Sequence, residues 1–358
     1  MKKRFAVPLW LVGLLLLLVA IRIALPYVVR DQLNARMAQM GEYSGQVERV
    51  RLALWRGAYV LHGLDIQKVS GEVPVPFFHA PQTDIALSWR HLFRGRVVGE
   101  VAFHSPELNF VDGGDAADSQ AGLGVDWREQ LAGIMPFQLN QVDVHDGTIH
   151  FRNFDSSPPI DTRVEQVQAR VENLGNVVAE GEGNRNAGIE ADGLLLGEAP
   201  VELRAALDPV GRTDDFALEL RVTNLQLVEL NDIAREYASI DFESGHGEFV
   251  LELQARDGAL DGYAKPLFQE MQIFSWQSDV VEGEGNPLQK VWEGTVEVIT
   301  SVFQNQPAQQ FATRVPIQGS IEDRELGLLP ALAGILRNAF VQAYRPDFEG
   351  LGPRPETD

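Results

Sequence analysis

VERVRLALW, Val47 to Trp55, sets Val47, Arg49 and Arg51 on one side of an extended chain and Glu48, Val50, Leu52 and Leu54 on the other. That is a period of two, the signature of a half-buried β-strand. Gly57 breaks the run, and strand-length segments follow it: AYVLHGLDI (from Ala58), TDIALSW (Thr83), VVGEVAF (Val97), PELNF (Pro106), FQLNQVDVHDG (Phe137), TIHFRNF (Thr148), TRVEQVQARVENL (Thr162), VELRAAL (Val201) and DFALELRVTNL (Asp215). Each is bounded by Gly, Pro, Asp or Asn. Asp146-Gly147 reads as a tight turn joining VDVH to TIHF, and the Arg256 to Gly258 RDG as a second one between FVLELQA and ALDGYAK. Hairpins of this kind imply an antiparallel sheet.

Helical spacing appears in four places. Upstream, Val29, Leu33, Met37 and Met40 recur at three- and four-residue steps with charges between them, which suits a stalk helix. Downstream, Leu227 to Ala238 is a short helix candidate. Asn286 to Phe303 opens with Asn-Pro, a cap and first-turn pairing, and lines up Val291, Trp292, Val296 and Ile299. Leu328 to Tyr344, with Leu332, Ile335, Leu336 and Phe340, is apolar on most of its circumference and needs a wide apolar surface to lie on. The small, polar Asp112 to Gly124 segment reads as a mobile loop.

Before the stalk, Lys2, Lys3 and Arg4 precede an uncharged run from Phe5 to Ile21 that includes Leu9, Trp10, Leu14 and Leu18. Seventeen residues rise about 26 Å as a helix, against a hydrocarbon core of about 30 Å, and Arg22 can snorkel while Ile23 to Val29 prolong the apolar stretch. A single membrane anchor is the expectation. A cleaved signal peptide is the competing reading, opposed by the length of the run and by Arg22 and Ile23 at the cleavage position. Basic residues on the N-terminal side place that end in the cytoplasm and the remainder across the membrane. The expected division is an anchor over 1–30, an amphipathic stalk over 31–45, a β domain over 46–322 that includes the 286–303 helix, and a C-terminal apolar helix with a Pro-rich tail over 323–358.

Five of the thirty basic residues lie in the first thirty positions, which leaves 25 against 51 acidic residues and a net charge of −26 beyond the anchor. So acidic a body repels polyphosphate and gains nothing from anionic lipid headgroups, which argues against nucleic acid as a partner and against electrostatic membrane adsorption, and leaves only apolar contact with lipid. With no cysteine in the chain, disulfides, thiolate metal sites and Cys nucleophiles are excluded. No G-x-S-x-G, P-loop or H-E-x-x-H motif occurs. The Gly181 to Gly183 and Gly283 to Gly285 GEG pairs read as turns. His145 and His150, with Asp143 and Asp155 near them, come nearest to a metal cluster, but an offset of five along a strand points them to opposite faces. Neither a metal nor a cofactor is expected.

Several long segments resemble the AsmA-like superfamily, in a branch known only as a domain of unknown function. They are Ile240 to Phe274 (IDFESGHGEFVLELQARDGALDGYAKPLFQEMQIF), Asn286 to Asn305, Gln310 to Ile321, Leu336 to Phe340, Asp84 to Phe110 and Phe137 to Phe154. The resemblance implies one inner-membrane helix and a periplasmic antiparallel sheet curved into a groove, with a few C-terminal helices packed on it. It brings no catalytic residue. It marks Lys265 and Pro266 as a place where the sheet bends or ends, and about fifteen strands at about 4.8 Å make a sheet no longer than about 70 Å. The function expected is a non-enzymatic one: shielding lipid acyl chains in the groove, and so contributing to envelope phospholipid transport or homeostasis. The alternative is a structural or assembly factor that binds envelope proteins by strand addition at a sheet edge. A hydrolase with an unrecognised site is the third reading.

Overall fold

The computed structural model describes residues 9–38, 40–53, 57–87, 98–114, 117–122, 138–174, 187–207, 215–238, 240–256, 258–275, 310–312 and 314–320. Phe5, both GEG pairs and the two late helical segments, 286–303 and 328–344, lie outside these residues. What is described is mainly β: one long apolar helix and one large sheet.

The helix, α1 (Leu9–Met37), runs without interruption through the apolar run and into the stalk segment. It is long and apolar enough to cross a membrane, and that apolar window is unburied. Its last turns do not stand free. Met37 packs with Met40, Val47, Val50, Leu61, Ile85 and Val101 in one cluster, and Val29 and Leu33 lean on it.

Fourteen strands form the sheet among the described residues. They are β1 (Tyr43–Ala53), β2 (Ala58–Lys68), β3 (Phe78–Leu87), β4 (Val98–His104), β5 (Glu107–Val111), β6 (Gln138–Asn153), β7 (Ile160–Glu172), β8 (Ala187–Leu195), β9 (Ala199–Leu207), β10 (Phe216–Gln226), β11 (Ile240–Arg256), β12 (Ala259–Ser275), β13 (Gln310–Ala312) and β14 (Val315–Ser320). The order is β1-β2-β3-β4-β6-β7-β8-β9-β10-β11-β12-β13, with β14 also on β12 and β5 between β3 and β6. Between β10 and β11 a 3₁₀ turn (Leu227–Leu230) leads into α2 (Asn231–Ala238), as the spacing there predicts.

One turn expectation holds and one fails. Arg256 pairs with Ala259 across a two-residue loop in which Gly258 has φ +81°, a true hairpin. Asp146-Gly147, by contrast, lies inside the single sixteen-residue strand β6. Asp146 adopts a left-handed φ of +56°, but the partner strand shifts register there instead of reversing. The reason is on the other side of β6. There, β4 and β5 run parallel to β6 end to end, and the Ser105 and Thr148 N–H groups donate to the His145 and Pro106 carbonyls, which holds both halves of β6 in one line. A left-handed residue beside glycine serves a bulge as well as a turn.

That bulge is one point on a longer crease. Left-handed Gly63 in β2, Ser105 between β4 and β5, Asp146 in β6 and Gln166 in β7 occupy neighbouring positions across the strands. A second crease crosses β10, β11 and β12 at Asn224, Gly245 and Glu270. Each bulge bends its strand and sharpens its twist. The first crease also corrects the reading of β1. Val47 is buried together with Val50, not on the exposed side with Arg49 and Arg51, because the strand pair turns over where Gly63 lies opposite Glu48. A side chain at Gly63 would be strained by its φ of +62° and would push aside the Glu48 side chain, whose Cγ a Cβ there would meet at 2.6 Å.

The Asp112 to Gly124 reading is corrected as well. Gln120, with none of its surface exposed, bridges Val111 by two backbone bonds and donates from Nε2 to the Asn109 carbonyl. Lys68 Nζ donates to the Ala117 and Ser119 carbonyls at 2.7 Å each. The described part of this segment, 112–114 and 117–122, is packed down because its backbone groups find partners on β2 and β5, which composition does not show.

Candidate functional site

Cross-strand register sorts the sheet into two faces with unusual continuity. One row of paired residues runs Leu52, Tyr59, Ile85, Val101 and Val142 from β1 to β6. It continues through Val171, Ile189, Ala205, Leu218 and Leu253 and closes at Gly262 and Ile317. The row two residues along each strand, from Val50 and Leu61 to Ala264 and Val315, lies on the same face. In both rows only Thr83 and Gly262 are not hydrophobic. Gly262 has a steric reason, since a Cβ there would lie 2.1 Å from the Glu252 carbonyl oxygen of the neighbouring strand.

Twelve strands at about 4.8 Å make this face about 53 Å across. Its two flanks are closed. Under α1, Val50, Leu61, Ile85 and Val101 are buried, and at the far flank Leu251, Leu253, Ala264, Val315 and Ile317 are buried in a second cluster. Between them, Val142, Val144, Ala169, Val171, Ile189, Ala191, Leu203 and Ala205 of β6 to β9 are only half-buried. Each methylene left in water forgoes about 0.8 kcal/mol of burial. The middle is therefore the part of this sheet face with most to gain from a hydrophobic occupant.

The opposite face is a charge ladder. The row between the two apolar ones carries Asp143, Arg170, Glu190, Arg204 and Glu219 on successive strands from β6 to β10. Opposite charges directly across a strand pair stabilise it modestly. Burial works to raise the Asp143 carboxyl. The Arg170 and Gln141 hydrogen bonds and the Arg170 charge outweigh it, and hold the carboxyl below its ordinary range. A shallow depression of about 420 Å³ lies over this ladder, lined by Asp143, His145, Arg170, Glu190, Asp192 and Arg204 among others. Its lining, which also includes Glu202, carries four carboxylates against two arginines and is net acidic.

The histidines do not converge. His145 stacks on His104 with ring centres 5.4 Å apart, and His104 Nε2 lies 3.0 Å from Asp84. His150, on the other side of the bulge, is buried, with Nδ1 2.6 Å from an Asp161 oxygen that Arg152 also contacts. Burial again acts to raise the Asp161 carboxyl, and the His150 and Arg152 hydrogen bonds bring it below its usual value. Among the described residues no three His, Cys, Asp or Glu side chains are placed to hold a metal ion.

Of the anchor residues, Trp10, Leu14, Leu18 and Ile21 are exposed on α1, Trp10 at 68%, and Leu9 is its first residue. Val291, Trp292, Val296, Ile299, Leu332, Ile335, Leu336 and Phe340 lie outside the described residues. Pro266 lies in β12 between Ala264, which pairs with Val315, and Leu267, which pairs with Ala312.

Two side-chain amides complete the sheet where strands lack a neighbour, and the sequence carries no signal for them. Asn34 of α1 donates from Nδ2 to the Val47 carbonyl and accepts the Val47 N–H, at 3.1 and 2.8 Å. Asn231, which opens α2, does the same for Phe242 of β11 at 3.0 and 2.8 Å. Each imitates one residue of an adjacent strand. No protein-family model and no curated protein matches the chain.

Proposed function

We propose that this is a non-enzymatic, membrane-tethered protein of the AsmA-like kind, held in the inner membrane by α1 with the sheet on the periplasmic side. Its apolar face shields lipid acyl chains and so contributes to envelope phospholipid transport or homeostasis. One observation carries the proposal: the apolar rows run from the helix that can span a bilayer to the far flank, and their middle, on β6 to β9, is only half-buried. The two creases support a sheet bent toward a groove, because bulges repeated at neighbouring positions bend successive strands alike.

Strand addition at a sheet edge, the competing function, finds less support at β1. Tyr43 already exchanges backbone bonds with Met40, and Val47 is occupied by Asn34. The test is photo-crosslinking of the full chain in vesicles that contain a phospholipid with a diazirine in its acyl chain. Adducts should map to β6 to β9 and disappear in a Leu203→Arg variant that still folds. Equal labelling of the charge-ladder face, or none on the sheet, would sink the idea.

A further inference from the structure

We infer that an acyl chain on the apolar face lies along the strands, crosses the first crease beside Val144 and Gly147, and ends with its methyl group in a slot between α1 and α2. The inference rests on the reading that this face takes up lipid, and adds the direction of the chain and the place where it ends.

The crease is what keeps the face continuous. Val144 and Ile149 are five residues apart in β6, so strict alternation would put them on opposite sides of the sheet. A left-handed residue between them restores the match. Asp146 has φ +56°, and a Cβ on Gly147 would meet Val144 Cγ1 at 2.9 Å, so positions 144 and 147 share a face, and Ile149 follows two residues on. The neighbouring strand repeats the device. Val164 and Val167 are three apart in β7 with left-handed Gln166 between them, and a Cβ on Gly193 would come within 2.9 Å of the first and 3.3 Å of the second. Two bulges thus carry the apolar side past the bend, which regular strands of this sequence would not do.

Beyond the bend a third row of paired residues begins: Ile66, Phe78, Leu108, Ile149, Val164 and Leu195, from β2 to β8. Both ends of the row are walled. Ile66 and Phe78 pack on the cluster that holds Met37 and Met40 at the end of α1, and Leu195 packs on the cluster that holds Ala234 of α2. Between the walls Leu108 and Val164 are half-buried, and Ile149, at 38%, is the one exposed large hydrophobic residue within the described strands. Phe78 and Leu195 stand four strand spacings apart, about 19 Å before their side chains are counted. Along β6, Val142 to Phe151 spans about 30 Å, against about 15 Å for one leaflet's share of a hydrocarbon core. A whole acyl chain therefore fits lengthwise. The row offers no polar partner, so the methyl end belongs there and the headgroup does not.

The test uses the full chain in vesicles of phosphatidylethanolamine and phosphatidylglycerol, doped with one of two phosphatidylcholines. The two differ only in whether the palmitoyl chain carries its diazirine beside the ester or beside the methyl end, and adducts are located by peptide mass spectrometry. The methyl-end probe should label Leu108, Ile149 and Val164, and the ester-end probe Val142, Val171 and Ile189. Ile149→Trp, which fills the slot from an exposed position, should lower methyl-end labelling there severalfold and spare the ester-end adducts. Identical maps from both probes, a reversed order, or undiminished methyl-end labelling in the filled slot would overturn the inference. Adducts confined by both probes to β6–β9 short of the crease would overturn it too, while leaving the face a lipid site. A sheet without adducts from either probe removes the lipid site itself, and the slot with it. The two-probe map of the unaltered chain decides the question even where the variant fails to fold.

Discussion

The β1–β4 flank and the β6–β9 middle carry the same apolar pattern on the same face, yet most row residues of the first are fully buried and none of the second is. Ile85 and Val101 are 1% and 3% exposed under α1, while Val142 and Val171, the next members of the same row, are only half-buried. Val29, Leu33 and Met37 of α1 join the hydrophobic cluster at the first region. Alternation marks a face as apolar, and a third element decides whether that face becomes core or surface.

The largest effect that would sharpen this comparison is a pair of truncations. Leu61→Ala should cost about 2–5 kcal/mol because it opens a cavity beneath α1, whereas Leu203→Ala should cost well under half as much, since its site is already partly open. Denaturant titration of the reconstituted full chain measures both, and equal losses would break the distinction. Next in size is Asn231→Leu, which strands the buried N–H and carbonyl of Phe242. It should cost about 1–3 kcal/mol, more than Asn34→Leu, whose amide hydrogen bonds are only partly buried.

Thr83→Val should go the other way. Thr83 is wholly buried in one of the apolar rows, and its hydroxyl has no hydrogen-bond partner among the described residues, so an isosteric apolar replacement should stabilise the chain by about 1 kcal/mol. A destabilisation there would show that this flank holds a polar group it needs.

The smallest effect is that of pH. Asp143 and Asp161 have lowered carboxyl values in the folded chain, so their contribution is fully present above the unfolded value of about 3.9 and is lost as the pH falls through the lower folded values. Acid titration of stability should therefore steepen below about pH 4, and Asp143→Asn should flatten part of that slope. Both carboxylates keep contact with solvent, which screens the effect and keeps it minor.

Much of the β-architecture is legible residue by residue. Period-two alternation predicts most of the strands, and Arg256 to Gly258 is the hairpin its residues announce. The misses share one cause, which is partnership at a distance. Asp146-Gly147 is a bulge because β4 and β5 brace β6 from the other side. Val47 turns inward because Gly63 on the next strand twists the pair. Gln120 is buried because Val111 and Asn109 receive it. The apolar face is half legible: its residue types are visible strand by strand, but their alignment into rows depends on register.

The amino-acid order alone settles that the chain has a helix able to cross a bilayer and strands with one greasy and one charged side, because both follow from spacing within a single segment. The three-dimensional arrangement alone settles which greasy stretch is covered, where the creases fall, and that two asparagine amides finish the sheet. Those outcomes depend on contacts between residues far apart in the chain, whose pairing energies no local pattern encodes.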